Sequence, residues 1–308
     1  MRNYLKYQHP GVQFAVFMGI AAMMFFTYMT IAQIFFGDVG EALSKSNEIS
    51  AETLKQFRWS QFLSAVMTFI IPASVYAYLS DERPFHYLGL KQHARVLIFL
   101  IVIFLLVAVQ PFAIYMGQLN QNANFGLFQE GFKRMEEFSE NAMKNFVRMN
   151  NPYDLMINLF IVAILPAVGE ELFFRGALQN ILERWTRVPW VAILLSSLLF
   201  ALAHITAFKF LPILTLGAVL GTLFYITRNL WYNVFFHFLN NFMALLASYY
   251  ATKYSMLKKL TEDDYRISLL VALASLAVTI GLFLLIRKRT PYHPLTSTSQ
   301  SPAHFDIN

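Results

Sequence analysis

The sequence contains no cysteine in 308 residues. That excludes disulfide staples, thiolate nucleophiles, Cys-ligated zinc and iron–sulfur chemistry. Charge is scarce as well. Asp, Glu, Lys and Arg make up 14% of the chain, against about 25% in soluble domains. Several catalytic signatures are missing. There is no His-Glu-x-x-His zinc-protease helix and no Gly-Lys-Ser/Thr phosphate loop. A Gly-x-Ser-x-Gly elbow and a Gly-x-Gly-Asp aspartyl motif are also absent. What is present in excess is apolar: 57% of residues are hydrophobic, Phe alone supplies 31, and the mean hydropathy is +0.48. This composition rules out a disordered chain, a nucleic-acid-binding arm and an ordinary cytosolic enzyme. The net charge of +6 fits Lys and Arg retained at cytoplasmic helix ends and needs no nucleic acid partner.

A membrane-spanning helix needs about 20 mainly apolar residues. Eight stretches qualify, and they predict an all-α, polytopic transmembrane helix bundle in the lipid bilayer. The first runs from about Gly11 to Phe36 and carries no charge. It is long for a signal peptide, and no small-residue cleavage site follows it, so it reads as retained. The others are Trp59–Ser80 with a kink near Pro72, Val96–Met116, Leu155 through Pro166 to Glu171, Pro189–Ile205, Leu211–Thr227, Leu230–Tyr250 and Ile267–Ile286. Residues 1–290 form one domain, and the Ser-, Thr- and Pro-rich tail 291–308 is predicted to be disordered. A short helix is expected after Ser50. Between Gly117 and Asp154, Phe128, Phe132, Met135, Phe138, Met143 and Phe146 recur at helical spacing. That pattern predicts an amphipathic helix on the membrane surface or capping the bundle, with a substrate-gating lid as the alternative. The Lys and Arg distribution, above all Arg287-Lys288-Arg289, puts both termini in the cytoplasm.

Ionisable groups inside spans are costly and are functional candidates by default. Here they fall in three places. The fourth span carries Glu170, Glu171 and Arg175, the fifth ends at His204, and the seventh carries His237, Asn240 and Asn241. Glu171 and Arg175 are four residues apart and can pair on one face. Glu170 points about 100° away. His237 and Asn241 share a face. If these faces converge, a carboxylate, two imidazoles and a carboxamide can activate water and stabilise an oxyanion. Gly217 and Gly221 read as a small-xxx-small packing pair.

These residues resemble a known family. Glu170-Glu171-Leu172-Phe173-Phe174-Arg175 is similar to the Glu-Glu-x-x-x-Arg motif of the CAAX prenyl protease and bacteriocin-processing (CPBP, or Abi) intramembrane proteases. Phe200-Ala201-Leu202-Ala203-His204 is similar to their Phe-x-x-x-His motif, and His237-Phe238-Leu239-Asn240-Asn241 to their His-x-x-x-Asn/Ser motif. Asn229-Leu230-Trp231 and Leu88-Gly89-Leu90 look like further family features. The motif-bearing core covers about 155–246.

The resemblance implies an intramembrane endopeptidase acting on a membrane-associated peptide or protein. It also implies roles: Glu170 as general base, His204 activating water, His237 and Asn241 stabilising the oxyanion, Glu171 and Arg175 in support. Two mechanisms fit. One is a metal-free glutamate mechanism; the other is a metalloprotease with a divalent metal such as zinc on Glu170, His204 and His237. A proton-coupled secondary transporter and a non-catalytic immunity-type membrane protein are the rival readings, and a bacterial inner membrane is the expected location.

Overall fold

The computed structural model describes residues 3–37, 39, 50–146, 152–253 and 266–290. The predicted disordered tail, 291–308, lies outside them. Among the described residues the regular structure is helical throughout. The chain runs α1 (Pro10–Phe36), α2 (Ala51–Ser80), α3 (Val96–Gln121), α4 (Gln129–Phe146), α5 (Tyr153–Thr186), α6 (Pro189–Ala203), α7 (Phe210–Thr227), α8 (Leu230–Lys253) and α9 (Leu269–Arg289). All but α4 correspond to the eight expected spans. Helices α1, α2, α3, α5, α7 and α9 are each long and apolar enough to cross a bilayer, and α6 is a shorter apolar helix.

Local chemistry explains several boundaries. The short helix expected after Ser50 is instead the start of α2: the Ser50 side chain accepts from the Thr53 amide and caps a helix that continues to Ser80. Ser268 caps α9 in the same way through the Val271 amide. The kink expected near Pro72 appears as a π-helical turn, Val66–Ile70, and a second π-helical turn, Leu159–Ile164, precedes Pro166 in the same way. Proline lacks an amide hydrogen and its ring crowds the carbonyl four residues earlier, and a widened turn absorbs both defects. A third π segment, Leu172–Gln179, directly follows the two glutamates and has no proline to explain it. The fifth span ends earlier than expected, at Ala203, so His204 is the cap of α6. Fifteen residues rise only about 22 Å, short of the roughly 30 Å hydrocarbon thickness. A helix starting at one boundary therefore delivers His204 within the membrane.

Loop contacts fall into two layers, as eight alternating spans require. On one face the 81–95 connection meets the turn after α7, the C-terminal end of α9 and Asn3. The Gly89 carbonyl accepts from Leu230, Trp231 Nε1 donates to the Leu90 carbonyl, Arg95 donates to the Arg289 carbonyl, and Asn3 donates to Glu82. The Leu88-Gly89-Leu90 feature thus wedges beneath the Asn229-Leu230-Trp231 turn. Gly89 has φ +78°, and a Cβ there would lie 3.0 Å from the Arg228 carbonyl oxygen, so only glycine fits. On the other face Arg58 pairs with Asp154 at 2.9 Å, and α4 meets the loop between α6 and α7 through Lys209.

Two buried clusters build the core. The first joins α1, α2, α5 and α6 around Phe17, Tyr76, Phe173 and Phe200. The second joins α3, α7, α8 and α9 around Leu105, Leu223, Phe236 and Ile286. Large apolar side chains such as Phe26, Phe104, Leu194 and Leu270 point outward. On a soluble monomer so much exposed apolar surface is not sustained; here it faces lipid. The expected packing role of Gly217 holds: a Cβ there would meet Ser197 Cβ at 3.1 Å and Phe200 Cδ1 at 3.3 Å. Replacing Gly217 with Val should cost about 1–3 kcal/mol through overpacking. Denaturant titration in micelles checks this, and an unshifted midpoint would contradict the close α6–α7 approach.

Candidate functional site

The polar residues of α5, α6 and α8 converge at the seam between the two apolar clusters. At the centre lies the Glu171 carboxylate, fully buried. It accepts from Arg175 Nη1 at 2.8 Å, His237 Nδ1 at 2.9 Å and Asn233 Nδ2 at 3.3 Å. Three donors on one buried carboxylate are what a low-dielectric environment demands of an anion. Arg175 is itself fully buried and donates through Nη2 to the Gly217 carbonyl at 3.2 Å. Its guanidinium carbon sits 4.4 Å from the Phe200 ring centroid, within cation–π range.

Glu170 points elsewhere, as its 100° offset requires. Its Oε2 is buried without a hydrogen-bond partner. Two ring nitrogens face it: His204 Nε2 at 4.0 Å and His237 Nε2 at 3.9 Å. Both imidazoles are held from behind. His204 Nδ1 is 2.8 Å from the Phe200 carbonyl. A carbonyl only accepts, so Nδ1 carries the proton and Nε2 presents a lone pair in the neutral ring. His237 Nδ1 donates in the same sense to Glu171. Phe200 also contacts both rings edge-on, with centroids 4.6 Å from His204 and 5.9 Å from His237. The Phe-x-x-x-His spacing thus has a direct cause: a C-terminal histidine reaches back to the carbonyl four residues earlier while that residue's ring braces it.

The structure therefore brings together Glu170, Glu171, Arg175, His204 and His237. Asn241 lies one turn beyond His237, half-buried, and has no hydrogen-bond partner among the described residues. Asn240 instead accepts from Gln110 Nε2 at 3.2 Å, tying α8 to α3.

Geometry also bears on the two candidate mechanisms. Two ligands of a tetrahedral zinc lie about 3.4 Å apart, given bonds near 2.1 Å. The Nε2–Oε2 separations of 3.9 and 4.0 Å are wider. Among the described residues, no group of three or more His, Cys, Asp or Glu closes on a metal position. The same span suits a water: an oxygen about 2.8 Å from both Glu170 Oε2 and His204 Nε2 would subtend roughly 90°. The donor set as it stands fits a water and does not fit tetrahedral zinc without closing up.

Sequence reasoning missed the rest of a buried polar ladder. Along α5, Glu171, Arg175, Gln179 and Glu183 recur every fourth residue. Gln179 Nε2 donates to Glu183 and to the Gly221 carbonyl, each at 3.0 Å. Glu183 closes the ladder on Arg228 at 2.6 Å. Glu183 and Arg228 both sit at helix ends, where charge is ordinary, yet both are buried. Asn233, four residues before His237, was also missed. The four-residue repeat was the available signal, as was the position of Gly217 and Gly221, whose carbonyls receive Arg175 and Gln179.

On the far side of His204, Asn120 of α3 clamps the connecting loop. Its Nδ2 donates to the Ala207 carbonyl at 2.8 Å, and its Oδ1 accepts from the Leu211 amide at 2.7 Å. Lys209 meets Glu136 at 2.6 Å and Glu140 at 3.1 Å. Burial lowers the Lys209 ammonium, but the two carboxylates outweigh it and hold the group above its ordinary value.

The comparisons with known proteins agree with the motifs. The family model of type II CAAX prenyl endopeptidases, Rce1-like, matches residues 152–243, the stretch that holds α5 through most of α8. No curated protein and no solved structure matches the chain.

Removing one partner of a buried ion pair leaves an uncompensated charge and costs about 3–5 kcal/mol. Arg175→Ala should therefore destabilise by that order, and the Glu171→Leu/Arg175→Met double variant by clearly less. Chemical unfolding of the purified variants checks this; equal losses would contradict a charge-driven role.

Proposed function

We propose that this chain, whose helices α5 to α8 carry the CAAX endopeptidase family segment, hydrolyses peptide bonds of a membrane-associated peptide or protein by a glutamate-activated water. The observation that carries the reading is the unpartnered Glu170 Oε2 facing two imidazole nitrogens at 4.0 and 3.9 Å, a span that one water can bridge.

The chemistry follows from the hydrogen-bond roles. A water between Glu170 and His204 donates one hydrogen to Oε2 and the other to the His204 Nε2 lone pair. Its own lone pairs then point into the site. As the oxygen attacks the scissile carbonyl carbon, Glu170 takes the proton and the carbonyl oxygen becomes an anion. His237 and Asn241, one helical turn apart, are the donors for that oxyanion. His237 can donate from Nε2 only as imidazolium, because Nδ1 already donates to Glu171. When the C–N bond breaks, the proton held on Glu170 passes to the leaving amine. Preorganised donors in a dry pocket supply most of the stabilisation such an oxyanion needs.

We place both termini in the cytoplasm, the orientation the Lys and Arg distribution favours, and we propose a bacterial inner membrane as the location.

Comparing membrane proteomes of wild type and Glu170→Ala cells tests the function and finds the substrate. Uncleaved proteins should accumulate in the variant. Indistinguishable proteomes would overturn the proposal. For a substrate so identified, Glu170→Gln should lower kcat by about 10²–10⁴-fold. Asn241→Ala should lower it by roughly 10²-fold or more, whereas Asn240→Ala should leave it near wild type. Metal analysis of active, purified protein distinguishes the metal-dependent route: activity that survives complete metal removal supports the water geometry, and loss restored by zinc contradicts it.

A further inference from the structure

Helix α4 plays no part in the chemistry above, yet it is the most amphipathic of the described helices. Its C-terminal end is anchored in the bundle: Phe146 is buried against Phe57, with ring centroids 5.0 Å apart. Midway along, Glu136 and Glu140 hold Lys209 of the α6–α7 loop. Its apolar side chains Met135 and Phe138 are nonetheless 46% exposed each. They are not spent on packing against the helix core.

They line a cleft of about 410 Å³, formed by Arg134, Met135, Phe138 and Ser139 on one side and His204, Ile205 and Thr206 on the other. That volume lies within the roughly 300–1,000 Å³ of ordinary ligand sites. The histidine facing Glu170 is therefore also part of the cleft wall, which puts the cleft beside the site. Two further features mark this wall. Ile205 has φ +52° and a 68% exposed side chain. A β-branched residue in the left-handed region is strained, and this conformation is held by the Asn120 clamp just beyond it. Thr206 Oγ1 is buried without a hydrogen-bond partner, and a peptide main-chain group is the kind of partner it lacks.

We propose that this cleft is the substrate subsite beside the scissile bond, that it seats an apolar side chain of an extended peptide, and that α4 is its movable wall, latched by Lys209. The inference rests on the endopeptidase reading for what happens next, but binding in the cleft stands apart from cleavage. Met135 and Phe138 give the pocket its apolar character, and Ile205 is presented toward the same ligand. The latch is ionic and its Lys209 end is half exposed, so opening it disturbs no apolar packing. The stem of α4 beyond it stays fixed by Phe146.

The absence of cysteine makes a direct test clean. Ser139→Cys in a Glu170→Gln background gives one thiol in the cleft of a non-cleaving protein. Its rate of maleimide labelling is measured in micelles with and without saturating short peptides carrying Leu or Phe, or Asp in the same position. The apolar peptides should slow labelling at least five-fold and the acidic one should not. Lys209→Ala should speed labelling of the free protein several-fold by loosening α4. In parallel, a fluorogenic peptide library randomised around the cleaved bond is read with wild type and Met135→Glu. The variant should shift preference at one position from apolar toward Lys and Arg by about ten-fold. Protection without any cleavage by wild type would support the subsite while sinking the endopeptidase reading. Equal labelling with every peptide, or a Met135→Glu profile superimposable on wild type, would overturn the subsite.

Discussion

A buried carboxylate in a bilayer must be satisfied, and the arrangement of this bundle follows from how Glu171 is satisfied. Its three donors come from two different helices: Arg175 on its own helix, and Asn233 and His237 on α8. Arg175 in turn reaches a carbonyl of α7 and stacks on Phe200 of α6. One anion therefore fixes four helices at one depth. It also fixes the orientation of His237, whose remaining nitrogen is left facing Glu170. The pair is poor evidence for stability by itself, since desolvation offsets most of its attraction. Its consequence is positional: it determines which nitrogen of which ring enters the site.

Helix geometry gives the two glutamates different surroundings. Glu171, on the inward face, accepts from three donors. Glu170, a hundred degrees round, keeps one oxygen without a partner. Adjacent residues of one type thus differ in hydrogen bonding because their surroundings differ. Phe200 serves both halves of the arrangement, its ring shielding Arg175 and bracing the imidazoles while its carbonyl sets the His204 tautomer.

Much of this was legible beforehand. Eight apolar stretches separated by charged connections forecast the spans, because hydrocarbon tolerates few alternatives. Glu170, Glu171, Arg175, His204 and His237 stood out because each breaks an apolar helix. Gln179, Glu183, Arg228 and Asn233 did not stand out. Each sits near a helix end or between apolar neighbours, where a polar residue is ordinary, and only the fold reveals that the helix ends are covered. Gly217 was readable as a packing residue, but not as the carbonyl that receives Arg175. The role of α4 was open for the same reason. Its amphipathic pattern requires an apolar neighbour and a wet side, and periodicity cannot say whether that neighbour is lipid, the bundle or a cleft.

The dependence of the site on Glu171 can be measured directly with a double-mutant cycle between Glu171 and His237, read as kcat/KM on one cleaved substrate. If Glu171 acts through the histidine it holds, Glu171→Gln lowers kcat/KM in the wild-type background and causes little further loss once His237 is Ala. Losses that multiply independently would contradict the central claim that this one buried anion organises the site.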